Sequence, residues 1–126
     1  MAKESGTGRL TDEQQKLLPL TPAVFFILFA LADGDKHGYA IMQQVVRLSD
    51  GRFQMGPGTL YTTIQRLLDQ QLIEEVLSAS EADGRRRYYR LGRAGKCLLD
   101  AELDRMQHIV KTASKMKFAT EGFGNT

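Results

Sequence analysis

The chain has 126 residues, 42% of them apolar and 25% charged, which is room for one small globular domain with short tails and not for a second, independent enzyme domain. The formal net charge is only +2, so the sum of the charges points to no polyanionic partner and only their placement could. The single cysteine, Cys97, excludes an internal disulfide, suits a reducing cytoplasm and reads as a packing residue, while His37 and His108 stand too far apart to suggest a metal site.

Residues 1–9 are small and polar, without periodicity, and read as a loose tail. Thr11 with Gln14 makes a capping-box pattern that predicts a short helix over 12–18, stopped by Pro19. Thr21 as N-cap and Pro22 at the first helical position predict a firm helix over 22–32. Its apolar run, 23–32, falls well short of the ~20 residues that cross a bilayer, so a buried helix and no membrane span is expected. Because nearly all its faces are apolar, it must be covered on several sides, by its own domain and by a partner chain. The next helix, 38–48, gathers Tyr39, Met42, Val45, Val46 and Leu48 on one broad face before Asp50-Gly51 closes it, and 52–55 reads as a short extended link.

Pro57 starts a further helix in which Leu60, Ile64, Leu67 and Leu68 face a core, leaving Thr59, Thr62, Thr63 and Arg66 on the other side. A strand over 74–77, a loop over 78–86 and a returning strand over 87–91 predict a hairpin. The expected fold is thus mainly α (α+β): a winged helix-turn-helix over 10–92 with a long C-terminal dimerisation helix over 93–118 and a frayed tail over 119–126. In that last helix Leu99, Leu103, Met106, Val110 and Ala113 follow four-three-four-three spacing, a narrow seam with no core of its own to cover, which predicts a homodimer interface.

From Arg85 to Lys96 there are six basic residues and no acidic one, whereas Asp69, Glu74, Glu75, Glu81 and Asp83 crowd the segment just before. A helix start with small hydroxyl side chains followed by an arginine-rich hairpin is what docks one helix in a groove of double-stranded DNA and grips flanking phosphates. The turn Pro57-Gly58-Thr59 offers unpaired N–H groups to a phosphate; Tyr61, Thr62 and Gln65, with Arg66 beside them, can reach base edges. The competing reading leaves these as plain solvent-facing positions, with Tyr61 packed on the hairpin. In the wing Arg85, Arg86 and Arg87, at or beside a Gly tip, are expected to enter the minor groove or straddle its phosphates, with Arg90 a further DNA contact, and strand alternation puts Tyr89 on the core face with Leu91. Phe25, Phe26, Met106 and Val110 are candidates for an apolar cavity taking a small lipophilic or aromatic effector, or else for dimer core. No nucleophile–base–acid set, phosphate-cradling glycine loop, metal constellation or cofactor motif appears, so the expectation is a cytoplasmic, cofactor-free, metal-free regulator and not an enzyme. The alternative is a winged-helix protein-interaction adaptor without specific DNA binding.

The Leu-Thr-Pro opening at Leu20, the run His37-Gly38-Tyr39, Pro57-Gly58-Thr59-Leu60-Tyr61 with Arg66-Leu67, Leu72-Ile73, and Arg86-Arg87-Tyr88-Tyr89-Arg90-Leu91 together resemble the PadR family of bacterial transcriptional regulators, specifically its short members with a single C-terminal helix, over about residues 19–117. The resemblance implies a winged-helix homodimer on a palindromic operator, usually a repressor, released by a small effector or another signal. It also implies a phosphate-facing Tyr39; a core aromatic is the alternative. The chain departs from the family pattern at Gly56, where a Ser is frequent, and at Gly92 and Arg93, where a Thr and an acidic residue are frequent. Arg93 near a helix N-terminus is disfavoured by roughly 0.3–1 kcal/mol.

Overall fold

A computed structural model describes residues 10–77 and 86–116. In chain order these form α1 (Asp12–Gln15), α2 (Pro22–Ala30), β1 (Lys36–His37), α3 (Gly38–Leu48), α4 (Pro57–Asp69), β2 (Ile73–Val76), β3 (Tyr88–Leu91) and α5 (Arg93–Ser114).

The local signals act as physical chemistry requires. Thr11 and Gln14 exchange side-chain to backbone hydrogen bonds of 2.9 and 3.0 Å, a full capping box, but α1 ends at Gln15, sooner than expected. Thr21 accepts from the Val24 amide at 3.4 Å and Pro22 opens α2. That helix stops two residues before the expected end: the Ala32 and Gly34 amides donate three residues back, to the Phe29 and Leu31 carbonyls, in a bend at Gly34 whose φ of 146° only glycine adopts without cost. Between α3 and α4 the chain reverses through Asp50 and Gly51, both at positive φ, and the Ser49 hydroxyl accepts from the Phe53 amide at 3.0 Å.

The apolar α2 lies at the centre. It packs against α3, α4 and α5, and Ile27, Leu28 and Ala30 are fully buried. In α3 the inward residues are Ile41 and Val45; Tyr39 and Val46 point outward, so the broad face read from sequence is rotated toward Ile41. α4 buries Leu60, Ile64 and Leu67 as expected. It also buries Thr63, at 5% exposure, against the expectation that this threonine lies on the free side. The Thr63 hydroxyl donates to the Thr59 carbonyl one turn back, at 2.7 Å, which lets a polar side chain sit inside without an unsatisfied group.

The sheet has three antiparallel strands in the order β1-β3-β2, not the two of a bare hairpin. Register pairs Glu75 and Lys36 with Tyr89, and Val76 and His37 with Tyr88. Tyr89 is buried, as alternation required. α5 begins hard against the α4–β2 junction: the Gly92 amide donates to the Leu72 carbonyl at 2.9 Å, and a Cβ at Gly95 would lie 2.1 Å from that same oxygen. Leu98, Leu99 and Glu102 are buried there. The first half of α5 therefore does cover its own core, contrary to the sequence reading, and Leu99 belongs to that core, not to a free seam.

Candidate nucleic-acid interface

The outward face of α4 carries Thr59, Tyr61, Thr62, Gln65 and Arg66, all exposed. At its N-terminus Gly56 provides no side-chain cap, Pro57 has no N–H, and the space beside Gly56 and Gly58 is open. The orphan amides of the first turn thus face solvent along a glycine-lined approach, the geometry in which backbone donors and the helix dipole favour an anion. Tyr61, Thr62, Gln65 and Arg66 share a shallow surface depression with Asp69. Asp69 was not foreseen as part of this face. Its carboxylate accepts from Gln65 Nε2 at 3.1 Å, an i,i+4 pair that orients the glutamine amide. The spacing alone was the available signal.

The wing base is built from β1 and β3. His37 caps α3, its Nδ1 accepting from the Ala40 amide at 3.2 Å, while its Nε2 stands 2.7 Å from an Arg86 Nη1 and its ring meets Tyr88 edge-on. Arg87 lies 3.6 Å from Glu75 and remains largely exposed. Arg90 on β3 forms a two-pronged pair, 3.1 and 2.9 Å, with Asp35, the residue just before β1. Hydrogen bonding to Arg90 holds the Asp35 carboxyl below the usual carboxylate range and raises the guanidinium in turn. Arg90, read from sequence as a DNA contact, is thus charge-compensated within the fold, a partnership 55 residues apart that local spacing could not reveal. Arg85 and the loop 78–85 lie outside the described residues.

Tyr39 is 60% exposed, which removes the core-aromatic alternative. It follows directly on Gly38, and Gly38 in turn touches the Tyr61 ring, so α3's first turn adjoins one flank of α4. His37 then links that turn to Arg86. The threonine-bearing face and the start of the arginine strand are in this way joined through the three residues His37-Gly38-Tyr39.

The residues nominated for an effector cavity have different surroundings within one chain. Phe25 is buried in the core and Phe26 stacks on Phe53 with ring centroids 5.5 Å apart. Met106 packs against the core edge, whereas Val110 is 52% exposed. Of the proposed seam, Leu103 and Met106 are half-buried on their own domain, and Ala113 is half-buried; Ile109, missed by the heptad reading, joins Val110 as exposed apolar surface on the distal half of α5, with Met116 exposed just past its end.

Three helices around a core, a three-stranded wing and an open recognition-helix face define a winged helix-turn-helix. Residues 27–101 match the transcriptional regulator PadR-like family, and the chain belongs to it. A crystal structure of a PadR family transcription regulator from Clostridium difficile R20291 is similar at a TM-score of 0.64 and 30% identity, covering 75% of this chain and 97% of that one. The structure of Bacillus subtilis PadR in complex with operator DNA has the same fold, with a TM-score of 0.59 at 21% identity over 68% of this chain and 47% of that one. An uncharacterized protein of Streptomyces fradiae transposon TN4556 is 39% identical over 87 residues, 69% of this chain, and that stretch spans only 24% of the relative's length. Among the described residues no helix is long and apolar enough to cross a membrane.

Proposed function

We propose that this PadR-family chain is a sequence-specific DNA-binding transcriptional regulator that acts as a homodimer on a palindromic operator, as a repressor relieved by a small lipophilic or aromatic effector. The observation that carries the DNA reading is the joining of the exposed α4 face to the wing base through His37-Gly38-Tyr39. In this reading Pro57, Gly58 and Thr59 hold a phosphate at the α4 N-terminus. Thr62 and Gln65 meet base edges in the major groove, and Arg66 and Tyr39 lie on the flanking backbone. Arg85, Arg86 and Arg87 grip phosphates beyond the wing, with Arg90 adding charge as far as Asp35 allows. The distal half of α5, where Ile109 and Val110 are exposed, is the surface for a second copy. The effector site then forms only between chains, near Phe26, Met106 and Val110.

Selection of DNA from a random pool by the purified protein tests the reading. A two-fold symmetric consensus is expected, with affinity falling as salt rises at a slope of about −0.9 per phosphate contacted. Absence of any enriched sequence, with binding unaltered when Arg85, Arg86 and Arg87 are replaced by alanine, would support the adaptor alternative instead.

A further inference from the structure

Gly38 is the first residue of α3 and is buried. Its backbone is not in the positive-φ region occupied by Gly34 and Gly51, so conformational freedom does not explain a glycine here. At a first helical turn any side chain would serve, and alanine would serve better by up to ~1 kcal/mol. Space explains it. A Cβ placed on Gly38 would lie 2.1 Å from the Tyr61 Oη, 2.7 Å from its Cζ and 3.0 Å from its Cε1. The tip of the Tyr61 ring rests directly on the bare α-carbon.

Tyr61 is not an ordinary core aromatic. It is 48% exposed, one flank open beside Thr62 and Gln65 on the outward face of α4 and its hydroxyl end seated on α3. A ring held this way fixes two things together: the spacing between the first turn of α3 and the second turn of α4, and the direction in which the ring leaves room for its neighbours on the α4 surface.

We propose that the Gly38–Tyr61 contact is the positioning element of the DNA-reading face: Tyr61 serves by bracing α4 against Gly38, not by reading a base, and the glycine is required because only a residue without a side chain can seat the ring. This rests on the DNA-binding reading above and adds to it the residue pair that sets the pose of Thr62 and Gln65. Because the obstructing atoms would be the far end of a tyrosine side chain, a methyl group at position 38 displaces the ring and leaves the backbone in place. A side chain there is then a local perturbation of the reading face and not a folding defect.

The test is a double-substitution cycle on full-length protein, using the DNA enriched by selection with the wild type. Gly38→Ala is expected to keep its thermal midpoint, or raise it, while losing about ten- to a hundredfold in affinity for the selected site and little for random DNA at the same salt. Tyr61→Phe, which keeps the ring as a brace, should stay within about twofold of wild type. Tyr61→Ala should lose affinity as Gly38→Ala does, and the double variant Gly38→Ala/Tyr61→Ala should lose no more than either alone, because both changes remove one contact. Equal specific binding by Gly38→Ala and wild type, additive losses in the cycle, or a large loss from Tyr61→Phe each overturns the proposal. If the wild type itself enriches no sequence, the DNA reading fails and this inference falls with it; if it enriches one and Gly38→Ala binds it normally, only the inference fails.

Discussion

The Glu102 carboxylate accepts the Leu20 amide at 2.9 Å although the two residues are 82 positions apart. Glu102 is 1% exposed, and its other hydrogen bonds, 2.7 and 3.1 Å, come from Arg105 on the next turn of α5. A buried carboxylate is tolerated only when its charge is met in this way. The contact pins the residue before the Thr21 cap, and hence the entry to α2, onto α5. The central helix and α5, which also pack against each other, are thereby tied directly together.

Removing that charge should be felt as stability, not as a change in DNA recognition. Glu102→Gln keeps an oxygen for Leu20 but presents an amide where Arg105 donates, and is expected to cost about 1–3 kcal/mol in chemical unfolding. The hydrogen bond from Arg105, with that from Leu20, holds the Glu102 carboxyl below its usual range despite burial. A depressed folded value means the unfolded chain takes up the proton first. The contribution is thus complete above the ordinary glutamate value of about 4.3 and is lost as pH falls through the lower folded value. Unfolding midpoints measured from pH 7 to pH 3 should decline less steeply in Glu102→Gln than in the wild type.

The buried Thr63 and the exposed Thr62 of α4 separate cleanly by substitution. Thr63→Val replaces a hydroxyl already satisfied by the Thr59 carbonyl with a group of the same shape, so stability should change by no more than about 1 kcal/mol and DNA affinity not at all. Thr62→Val on the exposed face should weaken binding to the selected site. Equal effects at both positions in a mobility-shift titration would count against the assignment of the outward face.

How far the sequence could go is visible in these residues. A threonine cap marked α2, proline starts marked both α2 and α4, and apolar spacing marked the buried side of α4, because such signals are carried by neighbours within one turn. Thr63 was misplaced since side-chain polarity does not report a hydrogen bond made to the residue's own helix. β1 was missed because two residues, Lys36 and His37, show no alternation; only their pairing with Tyr88 and Tyr89 makes them a strand. Leu99 and Val110 fit one heptad pattern, yet the first fills its own core and the second is exposed, and periodicity cannot tell which body covers a seam. The pairing of Asp35 with Arg90 and the seat of Tyr61 on Gly38 are non-local and needed coordinates.

Asp35 and Arg90 offer a test on the basic edge. The pair is partly exposed, so Asp35→Asn should change stability by less than about 1 kcal/mol. Freed of its partner, Arg90 is available to a phosphate, and the variant is expected to bind DNA more tightly at low salt with a steeper salt dependence. An unchanged salt slope, with Arg90→Ala equally silent, would remove Arg90 from the interface.

Gly95 measures how firmly α5 is joined to the end of α4. A methyl group there would meet the Leu72 carbonyl oxygen, a backbone atom that cannot swing aside, so α5 must shift as a body. Gly95→Ala is expected to destabilise by about 1–3 kcal/mol, the range for overpacking a tight contact, despite alanine's better helix propensity. A rise in the thermal midpoint would show that the junction yields.

The distal half of α5 carries the assembly prediction. Ile109 and Val110 are 49% and 52% exposed, so charge placed there costs the single chain's core almost nothing. In a dimer the same positions would bury a carboxylate without a partner, a penalty of several kcal/mol shared across the two-fold axis. Val110→Asp should therefore move the protein from dimer to monomer in sedimentation velocity at micromolar concentration while circular dichroism and the unfolding midpoint of the monomeric fold stay close to wild type. Affinity for the selected DNA should fall with it, because a palindromic site engages two tethered reading heads and the second gains only through linkage to the first. A variant that remains dimeric would place the interface elsewhere on the chain, and one that is monomeric yet binds the full site as well as the wild type would leave the two-fold operator without support.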